Sequence, residues 1–112
     1  MIGCECAVCR SSDPRDRRSR PSILIRLPDV AGAPPVAAAV RLILVDTSTD
    51  LRAQALERGV TRVDAVLFTH SHADHVMGLD EIRRYNSMQK SAIPCYGDEQ
   101  TLAELRAFPK VA

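Results

Sequence analysis

Val63-Asp64-Ala65-Val66-Leu67-Phe68-Thr69-His70-Ser71-His72-Ala73-Asp74-His75 is the stretch that decides the fold of this chain. Its first half, residues 63–69, is rich in apolar and β-branched residues, which predicts a strand. Its second half holds all 3 histidines of the 112-residue chain, with an aspartate before the last of them. A strand that ends in a dense group of imidazoles and a carboxylate predicts a metal centre at the end of a β-sheet.

The spacing of these ligand-type residues predicts two metal positions. His70 and His72 are two residues apart at the end of the predicted strand, so they should project to the same side and bind one ion. Asp74 and His75 follow in the turn and can bind a second ion. Imidazole and carboxylate suit Zn²⁺, and also Mn²⁺ or Fe²⁺. The alternative interpretation is a polar loop whose histidines cap a helix or bond to the backbone.

Strands and helices alternate on both sides of this stretch. Pro28 ends the first predicted strand, a turn is predicted at Gly32–Pro35, and Gly59 suits the end of the first helix. The central position in the sheet is expected for residues 40–45, which are mostly apolar. The order predicts an α/β fold whose sheet has helices on one face and an apolar, uncovered second face. The predicted strands are 22–27, 40–45, 63–69 and 93–96, and the predicted helices are 51–58, 79–89 (with Ile82 and Tyr85 on one face) and 101–108.

Composition restricts the class of protein. The chain is 46% hydrophobic and 26% charged with a formal net charge of +1, which is typical of a small globular domain without a general attraction to nucleic acid or membrane. No segment approaches the roughly 20 apolar residues that span a bilayer. The amino terminus has neither the basic nor the apolar region of a secretory signal, so a cytoplasmic location is expected.

Residues 1–20 are rich in cysteine and arginine and are predicted to form an exposed loop. Cys4, Cys6 and Cys9 are candidate ligands of a structural zinc, with Cys95 or a residue outside the chain as a fourth ligand; free or redox-active thiols are the alternative. Cys95 by itself is expected to be buried in an apolar strand. A phosphate- or RNA-binding loop or a solvated surface could explain the arginines, and no aromatic residue lies among them. They are Arg10, Arg15, Arg17, Arg18, Arg20 and Arg26.

The His-x-His-x-Asp-His motif after an apolar strand resembles the signature of the metallo-β-lactamase superfamily. Further stretches are similar to the branch that contains the cyclic-phosphate phosphodiesterase of phosphonate metabolism and ribonuclease Z-like proteins. These stretches are Gly3-Cys4-x-Cys6-x-x-Cys9, Ser12-Asp13-Pro14-Arg15, Ser22–Ile25, Asp46-Thr47-Ser48 and Ile93–Gly97.

The resemblance implies a role for each residue of the motif. His70 and His72 would bind the first of two zinc ions, and Asp74 and His75 the second. Asp74 would also take part in proton transfer to the leaving group. Asp46, at the end of the preceding strand, would orient the ligand loop, whereas from the residues alone it could equally be a helix N-cap.

The family supplies a further histidine to each metal and a bridging aspartate from a later half of the fold, and this sequence has no fourth histidine. We therefore expect residues 1–112 to be an amino-terminal fragment, about one half of an αββα sandwich, with residues 1–20 as a loop segment and 21–112 as an α/β half-domain. A homodimer or a swapped partner could cover the exposed face of the sheet.

The leading functional hypothesis is a metal-dependent hydrolase that cleaves a small anionic or phosphodiester substrate with a metal-bridging hydroxide, incomplete in this chain. A lactonase or thioesterase of the same fold is one alternative. The other is a non-catalytic zinc-binding or nucleic-acid-binding fragment built on the cysteines and arginines.

Overall fold

The computed structural model describes residues 1–28 and 40–108. The strands are β1 (Ile23–Leu27), β2 (Arg41–Val45), β3 (Ala65–Leu67) and β4 (Cys95–Tyr96). The helices are α1 (Ala7–Arg10), α2 (Leu51–Arg58), α3 (Ala73–Val76), α4 (Ile82–Gln89) and α5 (Glu99–Ala107). Single 3₁₀ turns lie at Pro14–Asp16 and Leu79–Glu81. The predicted turn at Gly32–Pro35 lies outside the described residues.

The four strands form one sheet in the order β1-β2-β3-β4. β1 pairs antiparallel with β2, whereas β2, β3 and β4 are mutually parallel. β2 therefore lies inside the sheet, as its apolar sequence predicted. The parallel strands bring their carboxyl ends to one edge, and the loops that carry Asp46 and the histidines both start there.

One face of the sheet is covered by the helices. Strand residues on this face, such as Leu44 and Val66, are buried together with residues of α2, α3 and α4. Ile82 and Tyr85 of α4 are both buried, which confirms the predicted inner face of that helix. The buried apolar core consists of Leu44, Leu51, Val63, Val66, Phe68, Val76, Ile82 and Tyr85.

The other face of the sheet is apolar and exposed. Ile23 pairs with Val45 and Val45 with Leu67, and Leu67 pairs with Tyr96, so these four side chains share one face. Tyr96 is 55% exposed and Ile23 is 62% exposed, although both are apolar strand residues. Leu44 and Val66 are buried whereas Ile23 and Leu67 are exposed, because successive side chains of a strand point to opposite faces of the sheet. An uncovered second face was predicted, and the described residues have it.

Several predicted details are wrong for identifiable reasons. Residues 1–20 are not entirely loop, because Cys6 and Asp13 each accept a backbone hydrogen bond that starts a short helical turn. Cys95 is exposed rather than buried, because β4 is an edge strand of only two residues. The last helix begins at Glu99 instead of residue 101, since the carboxylate of Asp98 accepts a hydrogen bond from the backbone N–H of Thr101 at 2.7 Å.

The helix limits agree elsewhere. α2 spans Leu51–Arg58 as predicted and ends at Gly59, whose φ of 61° lies in the left-handed region that glycine adopts readily. The predicted helix 79–89 begins with a 3₁₀ turn before α4. Within residues 1–28 and 40–108, no helix combines the length and the apolar character that a membrane crossing requires.

Candidate metal centre

The histidine loop leaves the sheet before the first histidine. β3 ends at Leu67, so His70 and His72 lie in the loop rather than on the strand as predicted. His72 is the N-cap of α3, and its carbonyl accepts a hydrogen bond from the backbone N–H of His75 at 2.9 Å. The tight turn of α3, and not strand alternation, brings the side chains together.

The imidazole of His70 lies close to both of the other two. The ring centroid of His70 lies 4.6 Å from that of His72 and 4.0 Å from that of His75. An oxygen of the Asp74 carboxylate lies 3.7 Å from Nε2 of His75. The four side chains that the sequence singled out therefore lie in one place. Among the described residues, three ligand atoms that all lie within 4.8 Å of one another occur only at Cys4, Cys6 and Cys9, so the histidine loop is a more open arrangement.

Asp46 lies beneath this loop and is buried, with 5% of its surface exposed. Its backbone has φ of 60°, a left-handed conformation in which aspartate is one of the few tolerated non-glycine residues. Its backbone N–H donates to the carbonyl of Leu67 at 2.8 Å. Asp46 is not a helix N-cap, since that position belongs to Asp50. The conformation turns the carboxylate toward the histidine loop.

The carboxylate of Asp46 accepts three hydrogen bonds from the loop. Its Oδ1 accepts from the backbone N–H of Thr69 at 2.8 Å. Its Oδ2 accepts from the Thr69 hydroxyl at 2.7 Å and lies 2.8 Å from Nδ1 of His75. Burial by itself would raise the pKa of Asp46, but the hydrogen bonds from Thr69 and then from His75 outweigh it, so that the pKa is lowered. Asp46 is therefore an anion that orients the loop.

These bonds determine which imidazole nitrogens remain free. Because the Asp46 carboxylate accepts a hydrogen bond from the Nδ1–H of His75, the lone pair of the neutral ring lies on Nε2. The single proton of the Thr69 hydroxyl goes to Asp46, so His70, whose Nδ1 is 2.9 Å from that hydroxyl oxygen, must donate to it. Nε2 of His70 is then also a free acceptor. A metal ion binds the neutral imidazole nitrogen that such an outer hydrogen bond leaves available.

Thr69 and Glu104 take part in this arrangement, and the sequence did not identify either of them. Thr69 directly precedes the motif, and its position next to His70 is the one feature of the sequence that could have indicated its role. Glu104 of α5 accepts a hydrogen bond from the Ser71 hydroxyl inside the loop. That hydrogen bond, followed by one from Gln100, lowers the pKa of Glu104. No local pattern could indicate Glu104, which is 33 residues away in the chain.

The backbone next to Asp46 holds the other end of the loop. The N–H of Thr47 donates to the carbonyl of His75 at 2.8 Å, and its buried hydroxyl donates to the carbonyl of Val76 at 3.1 Å. The N–H of Gly78 donates back to the carbonyl of Thr47 at 3.0 Å. The loop after β2 and the helix α3 therefore form one unit, with the candidate ligands on its outer side.

The cysteines form a second cluster near the amino terminus. The ligand atoms of Cys4, Cys6 and Cys9 all lie within 4.8 Å of one another, and Cys95 is not among them. The pKa of Cys6 is lowered to about 7, first by the backbone N–H of Cys9 and then by the thiols of Cys4 and Cys9. A thiol with this pKa is substantially thiolate at neutral pH, which is the form that binds metals.

We expect Asp46→Asn to weaken binding of divalent metal at the histidine loop by about 10- to 100-fold, the usual effect of losing an outer partner of a ligand histidine. Asparagine tolerates the left-handed backbone, but its amide N–H₂ would face donors on Thr69 and His75. Mn²⁺ titration monitored by electron paramagnetic resonance measures the affinity. Asp50→Asn, which changes a carboxylate in the same loop, is the matched control, and equal affinities in both variants would contradict the role of Asp46.

Comparison with known proteins agrees with this geometry. A family model described as a beta-lactamase superfamily domain matches residues 41–112. A solved structure described as a new diphosphatase from the PhnP family is 42% identical with a TM-score of 0.76, over 94% of this chain and 38% of that chain. A protein named octanoyltransferase from Porphyromonas gingivalis is 41% identical over 105 residues, which are 94% of this chain and 19% of that relative.

This chain thus spans less than two fifths of the length of either relative. The matches confirm the resemblance stated from the histidine motif and the partial metallo-β-lactamase fold expected from it. The family model covers more than half of the chain, including the site that β3, Asp46 and the histidine loop form together. The chain therefore belongs to the family described as the beta-lactamase superfamily domain.

Proposed function

We propose that this chain contributes the first ligand loop of a two-metal hydrolase that cleaves phosphodiester or diphosphate bonds. The observation that supports the proposal most directly is the set of bonds around Asp46, which leaves Nε2 of both His70 and His75 free to bind a metal. The likeness to a diphosphatase favours cleavage of a P–O bond. Bound divalent ions would supply a nucleophile from water at neutral pH and neutralise charge on the leaving oxygen.

In this proposal each residue of the site has a separate role. His70 and His72 bind one ion, and Asp74 and His75 bind the other. Asp46 and Thr69 fix the tautomers and ring orientations of His70 and His75. We also propose that Asp74, which is half-buried beside His75, takes part in proton transfer to the leaving group. A catalytic ion takes three protein ligands, so each pair requires at least one further donor.

An acyl ester or thioester is the second substrate class, because one relative is named octanoyltransferase. The histidine loop by itself does not distinguish the two classes, since two-metal sites attack both carbonyl and phosphoryl centres. The substrate must therefore be tested directly with one phosphodiester and one acyl ester.

The experiment measures Mn²⁺ binding first and turnover second. Mn²⁺ prefers imidazole and carboxylate over thiolate, so it reports on the histidine loop in preference to the cysteines. Mn²⁺-loaded protein is then assayed with bis(p-nitrophenyl) phosphate and with p-nitrophenyl octanoate. We expect Mn²⁺ to bind and the phosphodiester to be hydrolysed faster. Protein that binds no Mn²⁺ at the loop would contradict the metal centre, and preferential hydrolysis of the octanoate would replace the phosphodiester proposal.

We further propose that Cys4, Cys6 and Cys9 hold a structural zinc ion, with a fourth ligand from water or another residue. The proximity of the three sulfur atoms and the lowered pKa of Cys6 support this assignment. A Zn²⁺ titration of the parent protein and of the Cys4→Ser variant tests this assignment. If all bound Zn²⁺ disappears in Cys4→Ser and no substrate is turned over, the chain is a non-catalytic zinc-binding protein instead of a hydrolase.

A further inference from the structure

Arg20 lies beside the histidine loop, although it is distant from it in sequence. Its Nη1 is 3.8 Å from Oδ2 of Asp74, and the two side chains are 60% and 38% exposed. An exposed ion pair of this length contributes little to folding stability. The ion pair is therefore not there mainly for stability, and its significance is that the guanidinium lies beside Asp74.

The backbone of Arg20 is fixed on both sides. Its N–H donates to a carboxylate oxygen of Asp50 at 2.7 Å. Its carbonyl accepts from the amide N–H₂ of Gln54 at 2.6 Å. Gln54 is itself oriented by the hydroxyl of buried Ser48, which donates to Oε1 of Gln54 at 2.8 Å. The loop and helix that follow β2 thus define where Arg20 lies.

Ser22 connects the segment that contains Arg20 to Asp46. The hydroxyl of Ser22 lies 2.8 Å from the carbonyl oxygen of Asp46 and 3.2 Å from that of Val45. Asp46 also orients the histidine loop through its carboxylate. The backbone of Arg20 and the imidazoles are therefore both held by the segment that follows β2.

Other arginines of the amino-terminal segment make contacts within that segment. Arg10 pairs with Glu5, and Arg15 with Asp13. Arg18 donates from Nη1 to the carbonyl of Arg15. Arg20 instead reaches the loop in which Asp74 is a proposed metal ligand. A carboxylate that shares its charge with a metal ion attracts a guanidinium less, so the donors of Arg20 would be available to an anion bound over the loop.

We propose that Arg20 binds a non-bridging oxygen of the phosphate group of the substrate at the histidine loop. This inference rests on the proposed function. The planar guanidinium offers paired N–H donors that match phosphate oxygens, and it keeps its charge at every pH at which a hydrolase works. Arg20 would bind and orient the substrate, while the ligand residues hold the ions.

The test is calorimetric titration of Mn²⁺-loaded protein with inorganic phosphate. We expect Arg20→Gln to weaken phosphate binding about tenfold, the usual effect of losing a charge-assisted hydrogen bond, and Arg20→Lys to restore part of the loss. Arg17→Gln is the matched control, because it removes the same charge from the same exposed segment and should leave phosphate binding near that of the parent. Mn²⁺ affinity, measured separately, should stay unchanged in all three variants. With bis(p-nitrophenyl) phosphate, Arg20→Gln should raise KM more than it lowers kcat.

Each other result contradicts a specific step. Equal weakening by Arg20→Gln and Arg17→Gln would show a general effect of charge, and would overturn the assignment. Phosphate binding by Arg20→Gln that equals that of the parent would overturn this inference alone. A change in Mn²⁺ affinity as large as the change in phosphate affinity would show that Arg20 acts on Asp74 instead of the substrate. Parent protein that binds no Mn²⁺ would overturn the proposed function, and this inference with it.

Discussion

Replacing Gly78 with alanine should destabilise the protein by about 3 kcal/mol, the upper end of what overpacking costs when the obstructing atoms cannot move aside. A Cβ atom at Gly78 would lie 1.9 Å from the carbonyl oxygen of Ser48, 2.9 Å from its carbonyl carbon and 3.0 Å from the carbonyl oxygen of Thr47. All three are backbone atoms in the loop after β2. The substitution would separate α3 from that loop and break the bond from Gly78 to Thr47.

The melting temperature and the urea midpoint both measure this effect. For a domain of this size we expect a fall in melting temperature of roughly 12–24 °C. Gly59→Asn is the control, because an added Cβ there has no heavy atom within 4 Å and asparagine tolerates the left-handed φ of 61°. A Gly78→Ala variant that melts together with the parent would contradict the close packing of α3 on Ser48. Failure of that variant alone to fold would be the same effect in a stronger form.

His72→Ala should reduce Mn²⁺ affinity at the histidine loop by more than about 100-fold, because a direct ligand contributes more than the outer partners whose loss costs 10–100-fold. His72 is exposed at the start of α3, so the truncation removes an imidazole without opening a cavity in the core. The folded structure should therefore persist, and the loss can be assigned to coordination. Hydrolysis of bis(p-nitrophenyl) phosphate should fall in parallel.

Met77→Ala is the matched control for this variant. Met77 follows α3 directly and is 52% exposed, so its truncation changes the same surface without removing a donor that binds Mn²⁺. Circular dichroism of both variants checks that each is folded. Mn²⁺ affinity in His72→Ala that matches the affinity of Met77→Ala would remove His72 from the ligand set, and with it the assignment of two ligands to the first ion.

The helices and strands could largely be predicted because local residue patterns determine them. The apolar run before the histidines predicts β3, and Gly59 after a helical stretch predicts the end of α2. The uncovered face of the sheet followed from the alternation of strands and helices. The predicted ends of the helices were less accurate where a single hydrogen bond sets them. The side chain of Asp98, for example, starts α5 two residues before the predicted position. The exposure of Cys95 was not predicted, because it depends on β4 lying at the edge of the sheet.

The sequence alone determined which side chains gather at the candidate metal centre, because His70, His72, Asp74 and His75 are so close in the chain that any compact turn brings them together. It also placed Asp46 at the end of the strand before them. Only the tertiary structure decided how Asp46 orients the imidazoles through Thr69, and that Glu104 and Arg20 reach the same loop. These contacts join residues 23 to 54 positions apart, and the way the strands and helices pack, which no local pattern records, determines them.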